Sequence, residues 1–268
     1  MFSVLLSVYS KEKPEYLEKA LQSIWDNQTV RPAEIVLVKD GPLTKGLEDL
    51  INSHLNDKPL KIIPLKNNVG LGRALAIGLE HCSYEIVARM DADDIAAKDR
   101  FKKQLEYFEY FPDTALLSSD IAEFDVDPSL IKSIRSLPKT HDKIIQFAKR
   151  RNPMNHMAVM FRKSAVIEAG NYQAFQGYED YYLWVRMLQK GFRSANLDEN
   201  LIYARVGNNM ISRRQGLHFF KEELRLQKEF LNIHMINHFE YLRNIILRAF
   251  PRLMPVFVLK IIYKTLRK

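Results

Sequence analysis

Three carboxylates lie within four residues of the chain, directly after a largely apolar run. They are Asp91, Asp93 and Asp94. Three ionised carboxylates this close would repel one another strongly unless a cation lay between them. Oxygen ligands suit Mg²⁺ or Mn²⁺, and such an ion can neutralise the charge that grows on a leaving diphosphate. The cluster therefore predicts a metal site, and a solvated acidic loop before the next helix is the alternative.

An acidic pair, Glu179 and Asp180, begins an aromatic-rich helical stretch. A carboxylate in such a place can act as a general base that removes a proton from an acceptor hydroxyl, which contributes roughly 10²–10⁴ in rate. The alternative is that Asp180 only stabilises the helix, because an acidic side chain interacts favourably with a helix N-terminus.

Two further polar side chains, Tyr9 and Asp40, end β-rich runs. A carboxylate at the position of Asp40 can accept a hydrogen bond from a base imide or a ribose hydroxyl, and Tyr9 could stack on a base. Taken alone, an ordinary turn aspartate and a tyrosine at the rim of the core are the alternatives.

The elements that would position these groups alternate along the first 111 residues. We predict strands at 4–8, 34–38, 60–64 and 84–90, and helices at 14–25, 43–55, 72–82 and 100–111. This order predicts an α/β fold with a mostly parallel sheet and helices on both faces. Ligands bind such sheets at the carboxyl ends of the strands, where Tyr9, Asp40 and Asp91 fall.

The pattern loosens after residue 112. There we predict strands at 116–118 and 157–161 and helices at 164–169 and 180–190. The predicted organisation is a catalytic domain over 1–216, with a nucleotide-binding half at 1–111 and an acceptor-binding half at 112–216. A helical, basic extension follows at 217–268.

Charge is concentrated at the C-terminal end of the chain. The net charge is +8, yet residues 241–268 contain seven basic residues and no acidic one, so the rest of the chain is nearly neutral. This distribution argues against a protein that binds nucleic acid over its whole surface. The single cysteine, Cys82, cannot form an internal disulfide, which fits a reducing compartment such as the cytoplasm.

Residues 239–268 read as basic amphipathic helices. Anionic membrane surfaces attract such segments by about 1 kcal/mol per Lys or Arg. We therefore predict a cytoplasmic enzyme held peripherally on the inner face of the cytoplasmic membrane through 239–268. The alternative is that these helices pack on the catalytic body or on a second subunit.

Read in order, the segments resemble the motifs of the family 2 glycosyltransferases, inverting enzymes of the nucleotide-diphospho-sugar transferase (GT-A) fold. The resemblance covers about residues 2–215. Segment 38–42 resembles the strand-ending aspartate motif, 67–72 the asparagine–glycine loop and 91–93 the metal motif, and 179–180 is similar to the acidic pair of the family.

The resemblance implies a nucleotide sugar donor, by default UDP-linked, and a divalent metal. It implies metal contact by Asp93 and Asp91 and a catalytic pair in which Asp180 is the base beside Glu179. The residues that we expect to bind the donor are Tyr9, Asp40, Asn68, Gly70, Arg73, Asp91 and Arg213.

The chain departs from the family pattern in two places. Leu75 stands where many members have an arginine, and Arg73 lies two residues earlier. No histidine follows the base helix in residues 204–209, so Arg213 could serve as the cation on the diphosphate. A solvated basic loop is the alternative for Arg213.

The resemblance also implies an acceptor, a glycan or a lipid-linked oligosaccharide of bacterial surface polysaccharide assembly. His156 and Trp184 are candidates to line its site, with a structural histidine as the alternative. One sugar per encounter is expected, because the Gln-x-x-Arg-Trp motif of processive members is absent from the sequence.

Two other functions compete with this one. A sugar-nucleotide nucleotidyltransferase would usually need a glycine-rich phosphate loop soon after the first strand, and residues 9–14 contain no glycine. A non-catalytic protein whose basic tail binds nucleic acid is disfavoured by the near-neutral body.

Overall fold

The computed structural model describes residues 1–206 and 216–253. Apart from a two-residue strand at Ile95–Ala96 that was not predicted, its first half alternates strands and helices as predicted, with bounds that differ from the predicted ones by at most two residues. These elements are β1 (Ser3–Val8), α1 (Pro14–Ile24), β2 (Glu34–Lys39), α2 (Lys45–Ser53), β3 (Leu60–Pro64), α3 (Leu71–His81), β4 (Ile86–Met90), β5 (Ile95–Ala96) and α4 (Arg100–Tyr110).

The second half contains longer and less regular strands. Its elements are β6 (Thr114–Phe124), β7 (Ile131–Arg135), α5 (His141–Ala148), a 3₁₀ turn (His156–Ala158), β8 (Met160–Arg162), α6 (Lys163–Glu168), α7 (Glu179–Gln189) and β9 (Arg193–Arg205). The C-terminal helical part contains α8 (Leu217–Asn232), α9 (His238–Asn244), a π-helical turn (Ile245–Ala249) and a 3₁₀ turn (Phe250–Leu253).

The nine strands of the described residues join one sheet, in the order β3-β2-β1-β4-β8-β6-β9-β5, with β7 also on β6. The strands β3, β2, β1 and β4 are parallel, whereas β8 is antiparallel to both of its neighbours. The sheet is therefore parallel across β3, β2, β1 and β4 and mixed beyond these four strands. The predicted α/β fold is confirmed. The sequence did not indicate the antiparallel pairings of β5, β7 and β8.

Helices cover both faces of the sheet, because buried side chains alternate along each strand. In β1, Leu5 faces a cluster that includes residues of α3, α7 and α8, while Val4 and Leu6 face a cluster with residues of α1, α2 and α4. Both clusters are apolar and fully buried, so the strand ends are held rigidly at the edge where the predicted site residues lie.

The described part of the predicted C-terminal extension packs on the catalytic body. Phe230 of α8 is buried and its ring lies 4.9 Å from that of Tyr181 in α7. Beside it, the fully buried carboxylate of Glu223 accepts hydrogen bonds from Arg248 at 2.6 Å and from the Tyr178 hydroxyl at 2.8 Å. Although burial alone would raise it, the pKa of Glu223 is lowered, because Arg248 and these donors favour the carboxylate.

Replacing this carboxylate should loosen the C-terminal helices. We expect Glu223→Ala to lower the free energy of unfolding by about 3–5 kcal/mol, since Arg248 would lose its buried partner. Lys221→Ala, an exposed position of the same helix, should change it by no more than about 0.5 kcal/mol. Urea denaturation measures the free energy of unfolding of both variants. Equally small decreases in the two variants would show that the buried hydrogen-bond network of Glu223 contributes little to stability.

Candidate active site

The three clustered carboxylates follow β4 at the edge of the sheet. One oxygen of each residue, Asp91, Asp93 and Asp94, lies within 4.8 Å of the others. Asp94 is only 2% exposed, and its Oδ1 accepts a hydrogen bond from the backbone N–H of Arg205 at 2.8 Å. Its Oδ2 is buried without a hydrogen-bond partner among the described residues. An unpartnered buried carboxylate oxygen in such a cluster fits a cation ligand.

The electrostatics of the cluster point the same way. Burial raises the pKa of Asp93 to about 7, and the charges of Asp91 and Glu12 act in the same direction. The pKa of Asp94 is also raised well above its usual value, first by burial and then by Asp91 and Asp93. Burial and mutual repulsion thus disfavour ionised carboxylates here, and a divalent metal would offset this repulsion, so the residues present fit such an ion.

A buried arginine lies directly beneath the cluster. Arg89 of β4 is 1% exposed, and its Nη2 is paired with Asp91. Its Nε and Nη1 have no hydrogen-bond partner among the described residues. The sequence analysis missed Arg89, although a basic residue between Ala88 and Met90 in a strand of buried residues was an available signal.

A second arginine closes the cluster from β9. The Arg205 guanidinium donates from Nε to the Asp93 carbonyl at 3.3 Å and lies 3.9 Å from the ring centroid of Tyr16 and 4.6 Å from that of Phe124. Arg205 lies in the segment 204–209, where the sequence showed no histidine. This segment therefore does bring a cation to the site.

Asp40 and the asparagine–glycine loop bind each other. The Asp40 carboxylate is buried and accepts hydrogen bonds from the backbone N–H groups of Val69 at 2.7 Å and Gly70 at 3.2 Å, and from the Asn68 amide at 3.0 Å. Gly70 has φ +86° and precedes α3. Asp40 thus fixes the shape of the loop, and its contact with a base stays a prediction.

The other predicted donor-binding residues lie around this loop or outside the described residues. Tyr9 is 41% exposed just after β1, and Arg73 is exposed in the first turn of α3. Both are accessible to a ligand. Arg213 lies outside the described residues.

The acidic pair meets the start of α3. A Cβ on Gly72 would lie 2.5 Å from Cγ of Glu179, so the glycine permits this close approach. Burial raises the pKa of Glu179 to about 7. Asp180 is half-buried, and its Oδ2 accepts a hydrogen bond from the Asn152 amide at 2.6 Å.

The charges of the carboxylate cluster and of the predicted base both affect the pKa of one buried hydroxyl, that of Tyr172. Burial raises the pKa of Tyr172, Arg89 acts against this rise, and the charges of Asp180 and Asp91 add to it. The structure therefore brings the two acidic sites to one region, although the chain separates them widely.

His156 and Trp184 lie beneath that region. His156 Nε2 is 3.1 Å from the Tyr172 hydroxyl, and burial together with Arg89 holds the pKa of His156 well below its usual value. Trp184 is fully buried, with its ring centroid 6.0 Å from that of His156. These contacts favour the structural alternative for the histidine, and a role of either residue at the acceptor stays a prediction.

The fold and the carboxylate site define a glycosyltransferase of the GT-A type. The chain belongs to glycosyl transferase family 2, whose family model matches residues 3–168. This membership confirms the predicted enzyme class over the nucleotidyltransferase and the binding protein.

Two curated relatives match over nearly their whole length. The chain is 42% identical to the amylovoran biosynthesis glycosyltransferase AmsE of Erwinia amylovora, over 100% of both chains. It is 36% identical to the Escherichia coli UDP-Gal:alpha-D-GlcNAc-diphosphoundecaprenol beta-1,3-galactosyltransferase, over 98% of this chain and 95% of that protein.

Solved structures share the fold at lower identity. Residues 1–349 of Staphylococcus aureus TarS in complex with UDP-GlcNAc match with a TM-score of 0.69 and 17% identity, over 94% of this chain and 72% of that one. The mannosyltransferase PcManGT of Pyrobaculum calidifontis, in complex with GDP-Man and Mn²⁺, matches with a TM-score of 0.64 and 16% identity, over 93% and 69%. A longer TarS chain is covered over 43% of its length.

The turn at Gly41 offers a test of how Asp40 shapes the loop. Gly41 and Gly191 have φ +84° and +82°, so an alanine at either costs about 1–2 kcal/mol. A Cβ on Gly41 would also lie 2.6 Å from the Asn68 nitrogen, whereas at Gly191 it would meet no atom within 4 Å. We expect Gly41→Ala to weaken nucleotide binding at least tenfold and Gly191→Ala to leave it unchanged.

Calorimetric titration of UDP in the presence of Mn²⁺ measures both affinities, and urea denaturation confirms that both variants fold. Unchanged UDP affinity in folded Gly41→Ala would contradict the role given to this turn.

Proposed function

We propose that the protein is a metal-dependent, inverting glycosyltransferase that moves one sugar from a UDP-sugar to a hydroxyl of a lipid-linked acceptor in bacterial surface polysaccharide assembly. The observation that carries the proposal is the cluster of Asp91, Asp93 and Asp94 after β4, with one oxygen of each within 4.8 Å of the others and Oδ2 of Asp94 buried without a hydrogen-bond partner among the described residues. The donor and acceptor named for the E. coli relative, and the pathway named for AmsE, support the substrate classes.

The donor would lie across the carboxyl ends of β1, β2 and β4. The loop that Asp40 fixes, Tyr9 and Arg73 would hold the nucleotide, and Arg213 is the candidate for a further contact with its diphosphate. UDP-GlcNAc bound to the TarS neighbour supports a UDP-linked donor.

Asp93 and Asp91, with Asp94 beside them, would hold a Mn²⁺ or Mg²⁺ ion. When bound, the ion supplies positive charge for the diphosphate that leaves. Arg89 pairs with Asp91 from below and Arg205 binds the backbone of Asp93, so both residues keep the carboxylates in place. The Mn²⁺ complex of the PcManGT neighbour supports this assignment.

Asp180 is the proposed base. Its carboxylate is half-buried and oriented by the Asn152 amide, so it can accept the proton of an acceptor hydroxyl. The deprotonated oxygen attacks the anomeric carbon on the face opposite the leaving diphosphate. One displacement inverts the configuration, so an α-linked donor gives a β-linked product.

Replacing the Asp180 carboxylate should affect turnover without affecting UDP binding. We expect Asp180→Asn to lower turnover at least a hundredfold, since an amide cannot take the proton, while UDP affinity stays within about twofold. Asp113→Asn, at an exposed acid before β6 at the opposite edge of the sheet, should retain wild-type turnover. Release of UDP in the presence of acceptor measures the rate, and near-wild-type turnover of Asp180→Asn would refute the base assignment.

We also propose that the C-terminal helices contact the membrane that carries the acceptor. In the described part, α9 and the turn after it expose Phe239, Leu242, Ile246 and Leu247, while Arg248 is turned inward to Glu223. This exposed apolar surface, rather than the basic residues beside it, would enter the lipid headgroup region. Among the residues that the structure describes, no helix is long and apolar enough to cross a membrane.

Polar substitutions on this surface should release the protein from lipid. We expect Leu242→Ser with Leu247→Ser to reduce flotation with anionic vesicles by at least half, because apolar burial would be lost. Tyr110→Ser, an exposed aromatic at the opposite edge of the sheet, is the control and should float like the wild type. Equal flotation of all three proteins would remove the idea of membrane contact through α9.

A further inference from the structure

A cavity of about 560 Å³ opens beside the predicted base. Its lining includes Arg135 at the end of β7, Phe147 of α5, and Arg151 and Asn152 after that helix. Asn152 also donates its amide hydrogen bond to Asp180. Asn152 therefore connects the lining of the cavity to the carboxylate that would take the proton, on the acceptor half of the chain.

Two arginines contribute positive charge to the lining of the cavity. Arg135 and Arg151 are exposed, and Glu123 is the one acidic residue of the lining, where it accepts a hydrogen bond from Ser133. The backbone of Arg135 is anchored, because its carbonyl accepts from the buried Asn155 amide at 3.4 Å. Planar guanidinium groups bind phosphate oxygens in pairs, so this lining suits a ligand with more than one phosphate charge.

The apolar surface of α9 is attached to the same loop. The Asn244 amide donates to the Lys149 carbonyl at 2.8 Å, and Arg248 donates to the carbonyl of Arg150. Arg151 is the next residue, so the chain passes without a break from the helix contact to the cavity. The loop 149–152 thus connects the helix that carries the apolar surface to the cavity and to the proposed base.

We propose that this cavity binds the diphosphate of a lipid-linked acceptor through Arg135 and Arg151. The acceptor sugar then points toward Asp180 and the lipid chain toward the exposed residues of α9. The contacts match the order of groups in such a molecule, which is sugar, diphosphate and lipid. The assignment rests on the proposed function. It identifies the diphosphate, which a neutral glycan lacks, as the part of the acceptor that the cavity binds.

Binding of a sugar-free probe tests the site without turnover. Octyl diphosphate, below its micelle concentration, is titrated into the protein with UDP and Mn²⁺ in excess, so that the donor site is filled. We expect Arg135→Gln with Arg151→Gln to weaken its binding at least tenfold. Arg31→Gln, an exposed arginine before β2 at the opposite edge of the sheet, should bind like the wild type.

Transfer assays then separate the diphosphate from the sugar. The acceptors are N-acetylglucosamine linked through diphosphate to an octyl chain and the octyl glycoside of the same sugar. We expect the double variant to raise KM at least tenfold for the diphosphate acceptor only, with kcat and the donor KM within about twofold.

Each alternative outcome has its own meaning. Absence of octyl diphosphate binding to the wild type, or equal binding by the double variant, overturns the assignment whatever the turnover. Equally tight binding of dihexanoyl phosphatidylglycerol would assign the arginines to membrane headgroups instead and also overturn it. If the wild type transfers no sugar but still binds octyl diphosphate through these arginines, the result contradicts the proposed function and supports the diphosphate site.

Discussion

Crowded negative charge at the end of β4 is the constraint on which the rest of the site depends. Burial and mutual repulsion raise the pKa values of Asp93 and Asp94, and two arginines lie beside the cluster. Arg89 lies below in the same strand, and Arg205 reaches the cluster because β5 pairs with β9 at Ile95 and Tyr203. The cluster therefore takes its shape only when the last strand of the sheet is in place.

The two halves of the chain meet at close contacts, and at Gly72 there is no space for a larger side chain. Gly72 at the start of α3 touches Glu179, and the Asn152 amide orients Asp180 from the acceptor side. Asp40 holds the intervening loop through its backbone N–H groups. Under the proposed function, the same rigid edge of the sheet would position the donor and the acceptor, which is the arrangement that a single displacement requires.

Much of the fold and part of the site could be predicted from the sequence, for physical reasons that differ by region. The strands β1 to β4 are short apolar runs bounded by turns, and their periodicity located them closely. The strand β9 was missed because residues 198–200 are polar and exposed in its middle, and its partner β6 lies far earlier in the chain. The basic residue Arg89 stands out in the apolar run 86–90, but its pairing with Asp91 depends on packing that the local pattern does not show.

The inward turn of Arg248 toward Glu223 has a consequence for how the chain can be shortened. A protein cut before α9 would keep the acid of α8 in its apolar surroundings and discard the guanidinium that neutralises it. Such a fragment would tend to unfold in this region rather than simply leave the bilayer. The C-terminal helices therefore stabilise the folded body as well as carrying an exposed apolar surface, and substitutions on that surface alone test membrane contact without removing this stabilising ion pair.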